Sequence, residues 1–404
     1  MDTLVLVVFA VVYLGMLLGE IPGLALDRTG VALLGALVLV ASERVTPAAA
    51  WAAVDVPTLA LLFGLMVVSA QLRLGGFYAW VTRRIVSAEV APATLLAAVV
   101  GAAGALSAVL ANDIVCLAVA PLLVEGCLRR KLDPLPFLLA LACAANVGSA
   151  ATLIGNPQNM LIGQTLRLSF AGFLADALVP ALVGLGVVWL LIRLAVRGRW
   201  ASDREAPAVE TPPFDAWQTA KGLAILALLV LGFLFAPVPR EVLALGGAAI
   251  LLMSRRMASR DLIGLVDWHL LVLFIGLFVV NHAVAEAGLT ERASSSLRAA
   301  GVDLADVRFL FPVTVVLSNL VSNVPAVMLL LPHASHPLAG PVLALASTLA
   351  GNLLIVGSIA NIIVVDQAAA LGVRIGWREH ARVGIPVTLA TLALAAFWLW
   401  LRAG

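Results

Sequence analysis

Apolar runs long enough to cross the hydrocarbon core of a bilayer, about 30 Å thick, recur along this whole chain and leave few folds open. They fall at roughly 3–19, 24–41, 52–72, 92–110, 114–128, 134–166 and 170–196, and again at 221–236, 240–253, 268–286, 304–321, 324–332, 341–371 and 383–401. Hydrocarbon offers no partner to a backbone N–H or C=O, so only helices and closed barrels span it. Barrel strands are about ten residues long and alternate apolar with polar. These runs are Leu, Ala and Val stretches without alternation. With 62% hydrophobic and 12% charged residues, the chain lacks the polar surface to wrap a water-soluble domain of 404 residues. The expected fold class is an all-α polytopic membrane protein.

The charges that remain sort by position. The net charge is +2 and only Lys131 and Lys221 are lysines, so no basic tail or face suggests nucleic acid as a partner. Suppose 92–128 and 304–332 are re-entrant hairpins, leaving five crossings per half. Then 18 of the 25 basic residues share one face and seven (Arg44, Arg167, Arg240, Arg292, Arg298, Arg308 and Arg402) take the other. By the positive-inside rule the richer face is cytoplasmic and both termini lie outside. Met1-Asp2-Thr3 lacks the positive start of a secretory signal and no small-x-small site precedes Glu20, so the first run reads as a retained helix. Phe77 to Ser87 and Thr290 to Ala300 mix Arg with apolar residues and read as short interfacial helices. Cys116, Cys127 and Cys143 sit in apolar sequence without C-x-x-C spacing and read as buried small hydrophobes. His333 and His336 read as a hydrophilic turn, so no structural metal is expected.

Sliding the chain on itself gives a match near an offset of 212. Residues 54–77 lie over 266–289 with nine of 24 pairs identical, pairing Asp55 with Asp267, Gly64 with Gly276 and Gly76 with Gly288. At offset 211, Ser107, Asn112 and Pro121 meet Ser318, Asn323 and Pro332; at offset 202, Gly155 and Asn159 meet Gly357 and Asn361. Five crossings in the first unit reverse the second, which is the pattern of an inverted-topology repeat in a secondary transporter. The expected organisation is a first repeat over 1–196 with hairpin 92–128 and broken helix 134–166. A polar, Pro-containing cytoplasmic linker over 197–220 follows, then a second repeat over 221–404 with hairpin 304–332 and broken helix 341–371.

Four clusters of Gly, Pro, Asn and Ser interrupt the apolar runs. Unpaired backbone is tolerated at membrane depth only where it is buried in protein or lines a cavity, so each cluster marks a broken helix. The first holds Asn112 and Asp113. The second runs from Asn146 through Ser149, Thr152, Gly155, Asn156 and Pro157 to Asn159. The third holds Ser322, Asn323 and Pro325, and the fourth runs from Asn352 through Gly357 and Ser358 to Asn361. Freed carbonyls suit a cation and half-helix N-termini suit an anion, while Asn and Ser serve either. The coupling ion is read as Na⁺ or H⁺, and Na⁺ in the first case would lie near Asn112, Gly155, Asn323 and Gly357. Asp113 stands out because a carboxylate at mid-bilayer costs on the order of 2.5–3.5 kcal/mol on insertion scales. It reads as a proton carrier or cation ligand, or as the cap of the half-helix beginning at Ile114. Asp366 is a weaker version of the same idea, and Asp55 and Asp267 read as helix caps.

The words ANDIVCLAVAP (111–121), ATLIGNPQNMLIG (151–163), SNLVSNVPAVM (318–328) and AGNLLIVGSIANIIV (350–364) resemble the ion transporter superfamily. The likeness is to its arsenite permease and citrate-transporter-like branch, distantly related to the divalent anion/sodium symporters. It implies a scaffold and a mobile transport domain in a homodimer working by an elevator motion, with the tips at Asn112-Asp113 and Ser322-Asn323 facing the unwound centres. Where the dicarboxylate symporters carry Ser-Asn-Thr, this chain has Ala111-Asn112-Asp113 and Ser322-Asn323-Val324, closer to the arsenite permease pattern.

The expected function is secondary active transport of a small anion or oxyanion, coupled to Na⁺ or H⁺ and needing no other cofactor. Arsenite or antimonite efflux is the alternative, since no Arg or Lys lies in any break and arsenite is mainly neutral at pH 7. A Na⁺/H⁺ antiporter using Asp113 is a third reading. No P-loop is possible around Lys131 or Lys221, so an ATPase, if an arsenite pump needs one, is a separate subunit. No hydrolase motif is present, and an enzyme is not expected. The expected location is the inner membrane.

Overall fold

A computed structural model describes residues 2–19 and 23–403; Glu20, which bounds the first apolar run, lies outside them. The described chain is mainly helical, with an isolated bridge between Leu132 and Ala201. The first half runs α1 (Thr3–Leu18), α2 (Arg28–Ala41), α3 (Pro47–Ala53), α4 (Val56–Leu74), α5 (Phe77–Val86), α6 (Pro92–Val109), α7 (Asn112–Arg129), α8 (Leu135–Ser149), α9 (Pro157–Thr165) and α10 (Phe170–Val196). The second half runs α11 (Ala216–Phe235), α12 (Arg240–Leu252), α13 (Ser259–Ile263), α14 (Trp268–Glu286), α15 (Leu289–Ala299), α16 (Val307–Val321), α17 (Asn323–Leu330), α18 (Ala339–Ala350), α19 (Ile359–Ala370) and α20 (Trp377–Ala403). Six of them, α4, α6, α10, α11, α14 and α20, are long and apolar enough to cross a membrane unaided.

The remaining apolar helices are shorter than the runs they come from. Helix α2 has 14 residues and α12 has 13, about 20 Å each at 1.5 Å per residue; in α2 a capped polar start replaces part of the run. Asp27 accepts from the Gly30 N–H at 2.8 Å and starts α2 at Arg28. Asp55 and Asp267 cap α4 and α14 in the same way, accepting from Thr58 and Leu270 at 3.0 Å. Each cap satisfies one of the orphan N–H groups that a helix start exposes. Gly76 and Gly288 hold φ near +74° and +68°, which a side chain rarely adopts, and turn the chain into α5 and α15.

The elements pack as two sets. In one, α4 lies on α12 and α2 on α14, with α1 and α11 alongside. These crossings are close because glycine faces backbone: a Cβ on Gly64 would lie 2.7 Å from the Ala244 carbonyl carbon, and one on Gly276 would lie 2.7 Å from that of Ala32. In the other set α6 packs on α8, α16 on α18, and α10 on α20, with α7 against α19. Residues 197–215, within the stretch 197–220 read as a linker, lie along the surface of the bundle and bond to it. Ser202 N–H donates to Lys131 O at 2.9 Å, Asp133 N–H to Trp200 O at 2.7 Å, and Trp80 stacks on Phe214 at 5.5 Å. Helix α11 begins before 221 because Asp215 caps it through Gln218 N–H at 3.0 Å. Gln218 and Thr219 then find partners on α4, where Gln71 Nε2 donates to Gln218 at 2.9 Å and Thr219 Oγ1 donates to Gly75 O at 3.0 Å.

Candidate functional site

The four interruptions converge. Helices α6 and α7 meet at Ala111, and the Asn112 backbone N–H donates to Gly155 O at 3.4 Å. Helices α16 and α17 meet at Ser322, and the Asn323 amide donates to Gly357 O at 3.3 Å and Ser347 O at 3.0 Å. Each tip thus rests on the centre of one unwound segment, residues 150–156 between α8 and α9 or 351–358 between α18 and α19. Glycine is required at the first centre, since a Cβ on Gly155 would lie 2.8 Å from Ser107 O. Pro157 starts α9 without needing an N–H donor, and Pro325 does the same in the first turn of α17. Ser322 holds φ +74° and ψ 162°, a conformation costing on the order of 1–3 kcal/mol that persists where its surroundings fix it.

The unwound segments are held by their own amides in matching ways. Asn159 Nδ2 donates to Ser149 O at 3.3 Å and Thr152 O at 2.9 Å. Asn361 Nδ2 donates to Gly351 O at 2.8 Å and Leu354 O at 3.1 Å, the positions 202 further on. Asn156 caps α9 by accepting from Asn159 N–H at 2.9 Å and donates to Ser149 Oγ at 3.0 Å. Thr152 Oγ1 donates to Ala108 O, tying that break to the end of α6.

Asn146 joins the halves. Its Oδ1 accepts from Asn112 Nδ2 at 3.2 Å and Ser358 Oγ at 2.9 Å, and its Nδ2 donates to Asn352 Oδ1 at 2.8 Å and Asn361 Oδ1 at 3.1 Å. Asn112, Asn146, Ser149, Thr152, Asn156, Asn159, Asn323, Asn352, Ser358 and Asn361 are all buried. Several buried polar atoms around the tips have no partner. These are Ser107 Oγ, Asn112 Oδ1 and Asn159 Oδ1 at the first, and Ser318 Oγ, Asn319 Oδ1 and Asn352 Nδ2 at the second. Buried polar groups are nearly always paired in native proteins, so a cluster of orphans asks for a ligand or water.

Asp113 is placed differently from the rest. It stands in the first turn of α7, half-buried, while Ala111 occupies the capping position without a side-chain bond. Asp113 enters none of the hydrogen bonds or ion pairs among the described residues, so it does not cap this half-helix by side-chain bonding. Asp366 is exposed on α19.

Four partners of the network were not among the site residues singled out in the sequence. Thr348 Oγ1 accepts from Asn156 Nδ2 at 3.3 Å and Gln158 Nε2 at 3.1 Å, binding the second break to α18. His380, buried on α20, donates from Nε2 to Asn352 O at 3.0 Å. Arg28, at the first residue of α2, donates from Nη2 to Val356 O at 3.5 Å and so brings a guanidinium to the fourth break. Gln158 and Thr348 lie inside apolar or motif words, whereas Arg28 and His380 are distant in the chain; the weak hint was a polar residue at a helix start.

Comparison with known proteins gives concordant matches. Residues 4–350 match the citrate transporter family. The 46 kDa membrane protein of Mycobacterium leprae is 28% identical over 100% of this chain and 99% of its own length. The silicon efflux transporter LSI3 of Oryza sativa subsp. japonica is 27% identical, covering 96% and 95% of the two chains. Among solved structures, the Alcanivorax borkumensis YdaH transporter shares the fold at a TM-score of 0.59 and 18% identity, covering 99% of each chain. With its apolar helices and converging broken segments, this chain is a multi-pass membrane transporter that belongs to the citrate transporter family.

Proposed function

We propose that the protein is a secondary active transporter of a small anion or oxyanion, built as two inverted repeats that move the hairpins and broken helices against a scaffold of α1, α2, α4, α11, α12 and α14. The observation that carries this reading is the pair of tip-on-break contacts, Asn112 on Gly155 and Asn323 on Gly357, each ringed by orphan buried oxygens. Neutral oxygen donors buried in protein suit a hard cation, because such ions take carbonyl, amide and hydroxyl oxygens. Unwound carbonyls and half-helix ends at the interface of repeats are how membrane transporters hold coupling ions and anionic groups. The pseudo-twofold pairing of Gly64 with Ala244 and Gly276 with Ala32 supports the repeat, since both contacts keep the 212 spacing. In this reading both termini face the outside and Asp113 is the group that responds to protons.

Reconstituted vesicles test the proposal. Uptake of labelled citrate, phosphate or arsenite is expected to require an inward Na⁺ or H⁺ gradient, and Asn112→Ala and Asn323→Ala are expected to abolish it. Uptake that ignores both gradients overturns ion coupling. A second reading, efflux of an uncharged oxyacid such as arsenite or antimonite, is favoured by the Asn, Ser and Thr side chains that join the four breaks, all neutral, and by the likeness to a silicon efflux transporter. It is separated from the first by extrusion of arsenite from loaded vesicles without movement of citrate or phosphate.

A further inference from the structure

Beside the fourth break lies an open cleft of about 270 Å³ whose walls include Arg28, Thr29, His269, Val356, Ile359 and Ile362. That volume is near the lower end of small-molecule sites. We propose that this cleft binds a singly charged oxyanionic group, a carboxylate or oxyacid anion, with the Arg28 guanidinium as its fixed cation. The inference rests on the anion-transport reading and assigns a specificity residue to it.

Three observations carry it. First, Arg28 is poorly satisfied. Its one hydrogen bond, to Val356 O, is 3.5 Å long, its Nε is buried without a partner, and no carboxylate among the described residues reaches it as an ion pair. A half-buried guanidinium that no described carboxylate reaches within ion-pair distance is only partly compensated, and a bidentate oxyanion is the group that fits its forked donors. Second, the cleft meets the start of α19 at Ile359. That 12-residue helix has no side-chain cap, because the Ser358 hydroxyl is given to Asn146. Its first N–H groups are therefore free donors at the positive end of a helix dipole. Third, the residue 212 positions on behaves otherwise. Arg240, also the first residue of its helix, donates to Gly163 O at 2.7 Å beside the Glu241–Gln164 bond. The equivalent guanidinium is satisfied by backbone; Arg28 is left open to the cleft.

The acids near the cleft set the charge of the ligand. Asp27 and Asp267 line it but are exposed, and each is committed to a helix cap, on Gly30 and Leu270. Against these, one guanidinium and one helix end of about half a charge favour a monoanionic group over a dianionic one. His269 adds its backbone oxygen, which accepts from Thr29 Oγ1 at 3.3 Å.

The test is protection of a thiol in the cleft. Thr29→Cys is introduced into the full chain in nanodiscs, where the three native cysteines are buried, and its rate of maleimide modification is followed against acetate, phosphate and citrate. At least one of these anions is expected to slow the reaction. In Arg28→Gln the concentration that halves the rate should rise about tenfold or more, with Arg28→Lys intermediate and Arg240→Gln unchanged. Protection equal in Arg28→Gln and the parent overturns the proposal, as does protection by none of the three anions. Neither outcome bears on gradient-driven uptake in vesicles, so the transport reading stands or falls separately. Monodisperse elution of Arg28→Gln excludes misfolding as the cause of lost protection, and loss in an aggregated variant with full protection in Arg28→Lys and Arg28→Met counts against the role.

Discussion

A single amide, that of Asn146, uses both its ends to hold the centre of the molecule. Its oxygen accepts from Asn112 and Ser358 while its nitrogen donates to Asn352 and Asn361, all within 3.2 Å. Asn146→Asp keeps the shape but turns the donating end into a second acceptor facing two acceptor oxygens, inside a site that is 1% exposed. Leaving such groups unpaired costs about 1–3 kcal/mol each, more for a charge. The variant is therefore expected to lose several kcal/mol, read as a clear drop in melting temperature in detergent, while Thr388→Val, whose hydroxyl is buried without a partner, should change little. Equal stability of Asn146→Asp and the parent contradicts the network. The polar words that form this centre were legible in the sequence because hydrocarbon penalises every orphan amide, so Asn112, Asn146, Asn159 and Asn361 stand out against Leu and Ala. Arg28 and His380 were not, because each sits at an ordinary-looking helix start and gains its role only by a contact more than twenty residues away, to Val356 and Asn352.

Helices cross at the positions where the side chain is smallest. The contact of α4 with α12 turns on Gly64 and that of α14 with α2 on Gly276, each against the backbone of an alanine. Small residues let backbones approach in lipid, where no hydrophobic force drives helices together. Gly64→Ala and Gly276→Ala are expected to push these pairs apart and cost about 1–3 kcal/mol each. Gly246→Ala, which meets open space on α12, should be neutral or gain up to about 1 kcal/mol from helix propensity. Thermal unfolding of the three variants decides; the same loss in all of them removes the packing argument. The Gly64 and Gly276 match was visible as an aligned pair of letters, but its partners, Ala244 and Ala32, were not, since alanine in an apolar run carries no distinguishing mark. Helix lengths escaped for a related reason. Hydropathy reports how far apolar sequence extends, whereas Asp27 and Asp215 decide by capping where α2 and α11 start.

For the molecule as a whole, the two halves make unlike contacts at positions that the 212 and 202 spacings align. Glu241 accepts from Gln164 at 2.9 Å and Arg240 reaches Gly163 near the end of α9, whereas the matching Arg28 reaches Val356 before α19 begins. Subtracting 202 places Val356 opposite Ile154, so the two arginines grip their broken helices nine positions apart, of which the six steps from Pro157 to Gly163 along α9 alone span about 9 Å at 1.5 Å per residue. An inverted-repeat transporter alternates by letting each half take the arrangement of the other. If the proposed halves exchange in this way, Thr29 and Asp366, the counterparts of Glu241 and Gln164, are expected to come together as the latter part. Paired cysteines report it: Glu241→Cys with Gln164→Cys is expected to cross-link in the arrangement described, and Thr29→Cys with Asp366→Cys only in the opposite one. Reversing the ion gradient across membrane vesicles should then trade one cross-link for the other. If the first pair closes under every gradient and the second under none, the halves do not exchange, and the shared spacing of 212 is architecture without motion.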